Sequence, residues 1–349
     1  MLVACACWPL PGPFPPACRG EFLSVAPGTA GRTATPLAAW LSRITRVSRR
    51  RSVRLGALAL ALLFLIAVLR SHWQGLSAYR FTIRAWPLVL SLLLLATAWL
   101  LEVVLWRFVL SRLGYRLPLV RASGVWFLSN IVRYIPGNVW QFLGMMELAA
   151  DSGVPRAVTM TSVALHQVLS NLAGLLVGAY VIVAGGRLTA YRYVALAALL
   201  MLALAIVAPR LLPRLLGWLV HLGGGQPAPV RLTPWANLAL LVFYAVYWLL
   251  AGLAFWQLGM ALNLPLGGLP GLCVSAFALA YVSGYLSLLT PSGLGVREGV
   301  LVLLLSAALP GGGVALLAIA ARVWMVSGEL LATAASAALN RSLLRIGSG

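Results

Sequence analysis

The chain has 349 residues, of which 62% are hydrophobic and only 9% charged, and its mean hydropathy is +0.96. Soluble domains carry about 45–50% apolar and about 25% charged residues, so this composition excludes a soluble enzyme, a disordered protein and a secreted disulfide scaffold. All 26 basic residues are Arg, the net charge is +20, and most Arg flank hydrophobic segments. That distribution is typical of topology signals and of contacts with anionic lipids, and it argues against nucleic-acid binding.

The start of the chain divides into two parts. Residues 1–36 are rich in Pro and Gly, and we expect a disordered tail or an artefact of start-site choice. Residues 37–54 carry apolar residues and Arg at helical spacing. This pattern predicts a basic amphipathic helix on an anionic membrane surface. A basic flank that only holds the first span in place is the alternative.

Six hydrophobic runs are long enough to cross a bilayer, which requires about 20 residues each. They are 55–73, 86–106, 157–184, 191–212, 236–258 and 314–338. Two further apolar stretches, 119–150 and 269–309, are interrupted by Pro and Gly. Such breaks free backbone polar groups, which a bilayer tolerates only inside protein or beside a water-filled cavity. The sequence therefore predicts an all-α polytopic membrane domain over 55–340, followed by a short cytoplasmic tail at 341–349.

The two interruptions are related by a constant shift along the chain. Pro136 and Pro291 are 155 residues apart, and the same shift brings the neighbouring spans nearly into register. Halves at about 86–184 and 236–338 each read as span, broken hairpin, span, a pattern typical of transporters. The Arg distribution predicts six spans, cytoplasmic termini, and re-entrant hairpins that open to opposite sides, so that the repeat is inverted. An eight-span arrangement, in which the first arm of each interrupted stretch crosses fully, is the alternative.

Each interruption carries a motif that resembles a signature of one family. The motifs are Arg133-Tyr-Ile-Pro136-Gly137-Asn138-Val-Trp140-Gln141 and Leu289-Thr-Pro291-Ser-Gly293-Leu-Gly295-Val-Arg297-Glu298. They are similar to the paired signatures of the lysylphosphatidylglycerol synthase transmembrane-region family, and the resemblance covers about residues 55–340. It implies a flippase-like membrane domain that moves aminoacylated phospholipid between leaflets. Where many members carry a Glu-Arg pair followed by Asp, this chain reads His166-Gln167-Val-Leu-Ser170-Asn171, which leaves the substrate open.

Other chemistries lack the residues they need. No synthase domain follows Gly349, so we expect a stand-alone member that does not aminoacylate lipids itself. Asp151 is the sole Asp, there is no Lys for a phosphate-binding loop, and His, Cys and carboxylates do not cluster at metal-ligand spacing. We therefore expect no enzymatic activity, no cofactor and no metal site.

The strongest candidate residues follow the second interruption. If that break lies near the bilayer midplane, the N-terminus of the helix beginning near Gly295 favours an anion. Arg297 can add a bidentate contact to a phosphate, and Glu298 can orient Arg297 or bind a cationic headgroup. A purely structural Arg297–Glu298 pair is the alternative. In the first half, Arg133 faces the same way as Asn138 and is the candidate contact on the cytoplasmic side.

Polar residues on the spans after each hairpin extend the set. An interhelical hydrogen bond and a proton relay are the two interpretations of His166, and Arg322 shares a helix face with Glu329 unless it reaches for the membrane surface. Glu102 is expected to pair with Arg107 or another basic residue. The substrate-binding candidates are Arg133, Pro136, Gly137, Asn138, Gln141, His166, Asn171, Pro291, Gly293, Gly295, Arg297, Glu298, Arg322 and Glu329.

Three functions compete on this basis. The first is a transporter that moves or binds an anionic or aminoacylated phospholipid, or a lipid-linked intermediate. The second is a non-catalytic membrane subunit that partners a lipid synthase or glycosyltransferase of envelope biosynthesis, and the third is a membrane enzyme acting on lipid-linked substrates. Membrane lipids are the expected partners, and nucleic acid is not. We expect a multi-pass protein of a bacterial or archaeal-type plasma membrane with both termini in the cytoplasm.

Overall fold

The computed structural model describes residues 82–130, 140–184, 199–200, 203, 211–222, 228, 233–287, 293, 295–309 and 312–346. The segments expected at 1–36, 37–54 and 55–73, and most of 191–212, lie outside this part of the chain. Within the described residues all regular structure is helical. The expectation of an all-α polytopic membrane protein is confirmed.

Four long apolar helices coincide with expected spans. They are α1 (Ala85–Arg112), α4 (Arg156–Ala184), α6 (Pro234–Ala261) and α9 (Gly313–Ile346). Each is at least 28 residues long, which at about 1.5 Å per residue exceeds the roughly 30 Å hydrocarbon core of a bilayer. Their segments of spanning length and composition match the expected runs, and α9 continues past the expected end at residue 338.

The other described helices are short. They are α2 (Leu119–Asn130), α3 (Trp140–Ala150), α5 (Leu211–Leu222), α7 (Pro270–Leu286) and α8 (Val296–Leu305). The second break lies where the sequence predicts it, since α7 ends at Leu286 and α8 begins at Val296. Residues 131–139, which join α2 to α3, lie outside the described residues. With 10 to 17 residues, these four arms reach only about 15–26 Å. Hairpins and full spans therefore both remain predictions for the interrupted stretches, as does the count of six spans.

Helices of the two expected halves pack against each other. The most extensive interface joins α1 to α6, where Ser91 Oγ donates to the Ala254 carbonyl at 2.7 Å. In addition, α2 of the first half packs against α9 of the second, and α7 of the second packs against α4 of the first. The first arm of each interrupted stretch therefore packs against the last long helix of the other half. Whether the halves are inverted across a membrane stays a prediction.

Small residues allow the hairpin of the second half to approach the spans closely. A Cβ atom on Gly174 would lie 2.7 Å from a methyl of Val282, and one on Gly252 would lie 2.6 Å from the Cα of Val274. Glycines of this kind let backbones approach where lipid offers no hydrophobic driving force between helices. As a result, α7 packs closely against both α4 and α6. Its tyrosine side chains face the centre of the protein.

Candidate functional site

A cavity lies at the centre of the helices, and both halves contribute to it. It encloses about 650 Å³ of space free of atoms, counting its open mouth. Seven helices supply its walls, namely α1 to α4 and α6 to α8. The described residues that line it are Trp99, Glu102, Trp126, Asn130, Gln141, Gln167, Ser170, Asn171, Tyr247, Trp248, Tyr281, Tyr285 and Arg297. One guanidinium, one carboxylate, four amides and several aromatic rings therefore face the same space.

Arg297 is the cation among the described residues that line this cavity, and no carboxylate among the described residues pairs with its charge. Its residue is only 9% exposed, and its Nε has no hydrogen-bond partner. The guanidinium Cζ lies 3.7 Å from the centroid of the Tyr281 ring, in a cation–π contact. The stem packs on Gly284, where a Cβ atom would collide with the Arg297 side chain. Among the described residues no acid forms an ion pair with it.

The Glu298 side chain points away from Arg297 and accepts a hydrogen bond from the backbone. Its Oε2 accepts the N–H of Gly295 at 2.7 Å, and its Oε1 lies 4.0 Å from Nη1 of Arg322. The Arg297–Glu298 pair considered from the sequence is not formed, because the carboxylate caps α8 and faces α9 instead. It also occupies one of the N-terminal donors of α8 that the sequence analysis left open to an external anion.

Glycine is required at two positions of the second motif by backbone geometry. Gly293 has φ +68° and Gly295 has φ +83°, in the left-handed region that other residues adopt at a cost. A Cβ atom on Gly293 would lie 2.6 Å from the Cα of Gly284, so the two backbones touch. These glycines shape the turn that delivers Arg297 to the cavity and are not themselves among its lining residues. Pro291 lies outside the described residues.

A second, mostly apolar cavity shares a wall with the first. Arg297 and Tyr281 line both cavities, so this stacked pair stands between them. Arg322 of α9 lines the second cavity together with Glu298, and its side chain is 10% exposed. Glu329, expected to act with Arg322, is buried on α9 and lines neither cavity.

In the first half, the hairpin arms are joined by a side-chain hydrogen bond. Gln141 Nε2 donates to Asn130 Oδ1 at 2.6 Å, and both side chains are buried. Gln141 therefore faces the interior, and its contact with substrate stays a prediction, whereas Asn130 was not among the expected residues. Four other candidates of this motif lie outside the described residues, and their contact with substrate stays a prediction. They are Arg133, Pro136, Gly137 and Asn138.

His166 forms the interhelical hydrogen bond that the sequence analysis considered. Its ring is fully buried, and its Nδ1 lies 2.7 Å from the hydroxyl of Tyr244 on α6. The other nitrogen, Nε2, lies 3.5 Å from Oε1 of Glu102 and has no hydrogen bond. His166 therefore lies behind the cavity wall, while Asn171, which donates to the Gln167 carbonyl at 2.7 Å, lines the cavity itself.

Glu102 is a site residue that sequence reasoning missed. The expected partner Arg107 instead donates from Nε to the Leu117 carbonyl at 2.6 Å. The Glu102 side chain is 15% exposed, lines the cavity and faces His166. A single acid in the interior of an apolar span was a signal that could have identified it, because an ionisable group at membrane depth is costly to bury.

The arrangement defines a class of protein. Apolar helices of spanning length surround a polar cavity with one buried cation, and within the described residues no cluster of His, Cys, Asp and Glu could hold a metal ion. This is a multi-pass α-helical membrane protein with an internal polar cavity. A family model described as the lysylphosphatidylglycerol synthase TM region matches residues 52–328, and the chain belongs to this family. A search of curated proteins finds no match. Membership links the protein to lipid handling in a membrane.

Proposed function

We propose that this protein is a flippase-like lipid transporter. It binds the phosphate of an anionic or aminoacylated phospholipid, or of a lipid-linked intermediate, in the central cavity and moves the headgroup between leaflets. The single observation that carries the proposal is Arg297, a buried guanidinium that faces a polar cavity and has no carboxylate partner among the described residues.

The free-energy cost of burying the charge of Arg297 favours the binding of an anionic ligand. Burying an unpaired charge costs several kcal/mol in a protein interior. The Tyr281 ring offsets this in part, since a desolvated cation–π contact contributes about 2 kcal/mol. A phosphate that accepts hydrogen bonds from the guanidinium would supply the missing counter-charge with strong, charge-assisted contacts.

The rest of the cavity suits a polar headgroup with hydroxyl or amine substituents. Amide side chains from three helices line it, and amides both donate and accept hydrogen bonds. The headgroup could therefore leave water without losing its hydrogen bonds, while the acyl chains stay in lipid. The second cavity beside Tyr281 is mostly apolar, which suits the start of an acyl chain.

Movement across the membrane is proposed from the two broken hairpins. In an inverted repeat each hairpin would open to one leaflet, as in other transporters built from interrupted helices. Without a Lys-containing phosphate loop, transport would be downhill or coupled to an ion. We propose a plasma-membrane location with both termini in the cytoplasm, and no catalytic reaction.

Transbilayer exchange of a fluorescent anionic phospholipid in liposomes tests this function. Purified protein is expected to accelerate exchange without ATP, and Arg297→Gln to slow it about ten- to hundredfold, since a hydrogen bond to a charged group contributes about 1.5–3 kcal/mol. Arg112→Gln is the matched control, because Arg112 also stacks on an aromatic ring, Phe108 at 4.9 Å, but is exposed at the end of α1.

One outcome would overturn transport. If well-folded wild-type protein gives the exchange rate of empty liposomes for several headgroups and imposed ion gradients, the protein does not move lipid. A non-catalytic subunit that presents or holds lipid for a partner enzyme would then account better for the cavity.

A further inference from the structure

The amide side chains that line the central cavity form two hydrogen-bonded pairs. In the first, here called the hairpin pair, Gln141 Nε2 of α3 donates to Asn130 Oδ1 of α2 at 2.6 Å. In the second, the α4 pair, Asn171 Nδ2 donates to the Gln167 backbone carbonyl at 2.7 Å and to Gln167 Oε1 at 3.4 Å. A carboxamide has two N–H donors and a carbonyl acceptor, so each pair uses only part of its hydrogen-bonding capacity.

The remaining polar atoms of both pairs are available to a ligand. Asn130 Nδ2 and Gln167 Nε2 are donors, and Gln141 Oε1 and Asn171 Oδ1 are acceptors. These four atoms form no hydrogen bond with the described residues, and they are not sealed from the cavity. Turning over both amides of the hairpin pair exchanges their roles and again leaves one donor and one acceptor. Each pair therefore presents a donor beside an acceptor.

The two pairs lie on adjoining walls of the cavity. α2 meets α4 where the Trp126 ring packs edge-on against the His166 ring, with 4.8 Å between the ring centroids. Asn130 lies about one turn further along α2, and Gln167 directly follows His166 on α4. Arg297 lines the same cavity. A substituent on a phosphate bound at Arg297 would therefore meet both pairs inside one enclosed space.

The mixture of donors and acceptors selects the chemistry of that substituent. A phosphate oxygen only accepts hydrogen bonds and an ammonium only donates them, so either group would leave half of these atoms unpaired at a cost in free energy. A hydroxyl both donates and accepts, and neighbouring hydroxyls can bond the donor and the acceptor of one pair together. Because all four atoms are uncharged, this selection does not depend on the net charge of the cavity, nor on Arg133, which lies outside the described residues.

We propose that the substrate is a lipid phosphodiester whose headgroup is a polyol or a sugar, with its hydroxyls bound by the hairpin pair and the α4 pair. The inference rests on the proposed function and names the substrate class of the same cavity. Most of the other described lining residues are aromatic. Tyr and Trp combine an apolar ring with a polar group, which suits a headgroup whose carbon skeleton lies between hydroxyls.

Lipids of equal charge and equal acyl length test the headgroup alone. Short-chain phosphatidylmethanol, phosphatidylglycerol and phosphatidylinositol share the anionic phosphodiester, but the headgroup of phosphatidylmethanol has no hydroxyl. Isothermal titration calorimetry on the purified full chain measures their affinities, with short-chain phosphatidylethanolamine as the amine-bearing probe. Phosphatidylglycerol or phosphatidylinositol should bind about tenfold more tightly than phosphatidylmethanol, since each added hydrogen bond changes affinity by roughly two- to tenfold.

Substitutions that remove an amide and keep most of its volume assign this preference to the pairs. Gln167→Met and Asn171→Leu should each lower the ratio of phosphatidylinositol affinity to phosphatidylmethanol affinity by about three- to tenfold, with phosphatidylmethanol binding within about twofold of wild type. Gln257→Met is the matched control, because Gln257 of α6 is partly buried and lines neither cavity. A wild-type ratio in both folded cavity variants, or an equal decrease in Gln257→Met, would overturn the proposal.

The ranking of lipids by the wild-type protein separates this inference from the proposed function, and it is decisive even if the cavity variants do not fold. Equal affinities for the three anionic lipids contradict hydroxyl recognition and leave phosphate binding intact. Tighter binding of phosphatidylethanolamine than of either polyol lipid contradicts the inference and assigns the cavity to an amine. Absence of binding by every phosphodiester contradicts the proposed function as well. A preference for phosphatidylglycerol alone supports the inference and limits the headgroup to a polyol the size of glycerol.

Discussion

At the scale of single residues, two arginines of the second half have different electrostatic surroundings. Arg322 lies 4.0 Å from Glu298, which in turn caps α8, so this arginine belongs to an internal network. Arg297 is adjacent in sequence to Glu298 but stacks on Tyr281 and faces the cavity. Within the part of the chain that the structure describes, Arg322 has a carboxylate neighbour that its removal would leave uncompensated, and Arg297 has none.

This difference predicts opposite effects on stability. Arg322→Gln should destabilise the folded state by about 1–3 kcal/mol, because Glu298 loses its cation in a partly buried site. Arg297→Gln should change the free energy of unfolding by no more than about 1 kcal/mol, since the lost ring contact is offset by removal of a buried charge. Apparent melting temperatures in detergent, followed by tryptophan fluorescence, measure both. An equal loss in the two variants would contradict the assignment of Arg297 to a ligand.

The second motif also predicts which glycine is indispensable. Gly293→Ala should destabilise by about 2 kcal/mol or more, because alanine at φ +68° is strained and its Cβ would press on the Gly284 backbone. Gly299→Ala is the control on the neighbouring helix, where an added Cβ meets nothing within 4 Å. It should be neutral or stabilising by up to about 1 kcal/mol. The fraction of monodisperse protein after purification and the melting temperature report both effects, and a well-tolerated Gly293→Ala would contradict the geometry.

Residue roles were predictable where a motif carried them and not where the fold created them. The Pro/Gly motif with Arg297 marked the cavity cation from sequence alone. Glu102 and Asn130 gain their roles from helices that are distant in sequence, so their neighbours could not be read from local spacing. The same reason explains why Glu298 was assigned to Arg297, its neighbour along the chain, and not to Arg322 across the helix packing.

At the scale of helices, contacts between α7 and α4 and between α2 and α9 join the two parts of the chain around the cavity. α7 packs on α4, where Ser275 Oγ donates to the Val177 carbonyl at 3.1 Å. α2 packs on α9, where Thr333 Oγ1 donates to the Phe127 carbonyl at 3.2 Å. Span lengths and helix breaks were predictable from hydropathy, Pro and Gly. These cross-half contacts were not, because they depend on which face each helix presents.

Glycine packing predicts an order of effects at the α7 interfaces. Gly252→Ala should be the more destabilising change, because its Cβ would lie 2.6 Å from the Cα of Val274, and backbone cannot rotate away. At Gly178 the obstacle is the side chain of Leu279, which can change rotamer at a modest cost. Gly217→Ala meets nothing and is the control. Melting temperatures should rank Gly252→Ala lowest, and the reverse order would contradict this packing.

At the scale of the whole molecule, the proposed lipid transport requires a defined orientation in the membrane. Arg distribution predicts cytoplasmic termini and an external turn at 259–268, which follows from the positive-inside rule. The described turn after α6 contains Asn263 with φ 56° and joins α6 to α7. The orientation stays a prediction that labelling can test.

Cysteine accessibility in intact cells measures orientation. Single cysteines at Asn263 and Ser348, in a version without native cysteines, are probed with a membrane-impermeant thiol reagent. The Asn263 position should be labelled from outside, and the Ser348 position only after the cells are permeabilised. Labelling of the Ser348 position but not of the Asn263 position in intact cells would contradict the predicted orientation and indicate the opposite one.

Native mass spectrometry of gently extracted protein shows whether Arg297, which has no carboxylate partner among the described residues, holds the phosphate of a lipid headgroup in the cavity. The account predicts that wild-type and Arg112→Gln protein retain a phosphate-bearing lipid after delipidation of the outer surface, and that Arg297→Gln, equally folded, retains about tenfold less, as expected for loss of about 1.4 kcal/mol. Equal retention of the same lipid by folded Arg297→Gln and wild-type protein would contradict it.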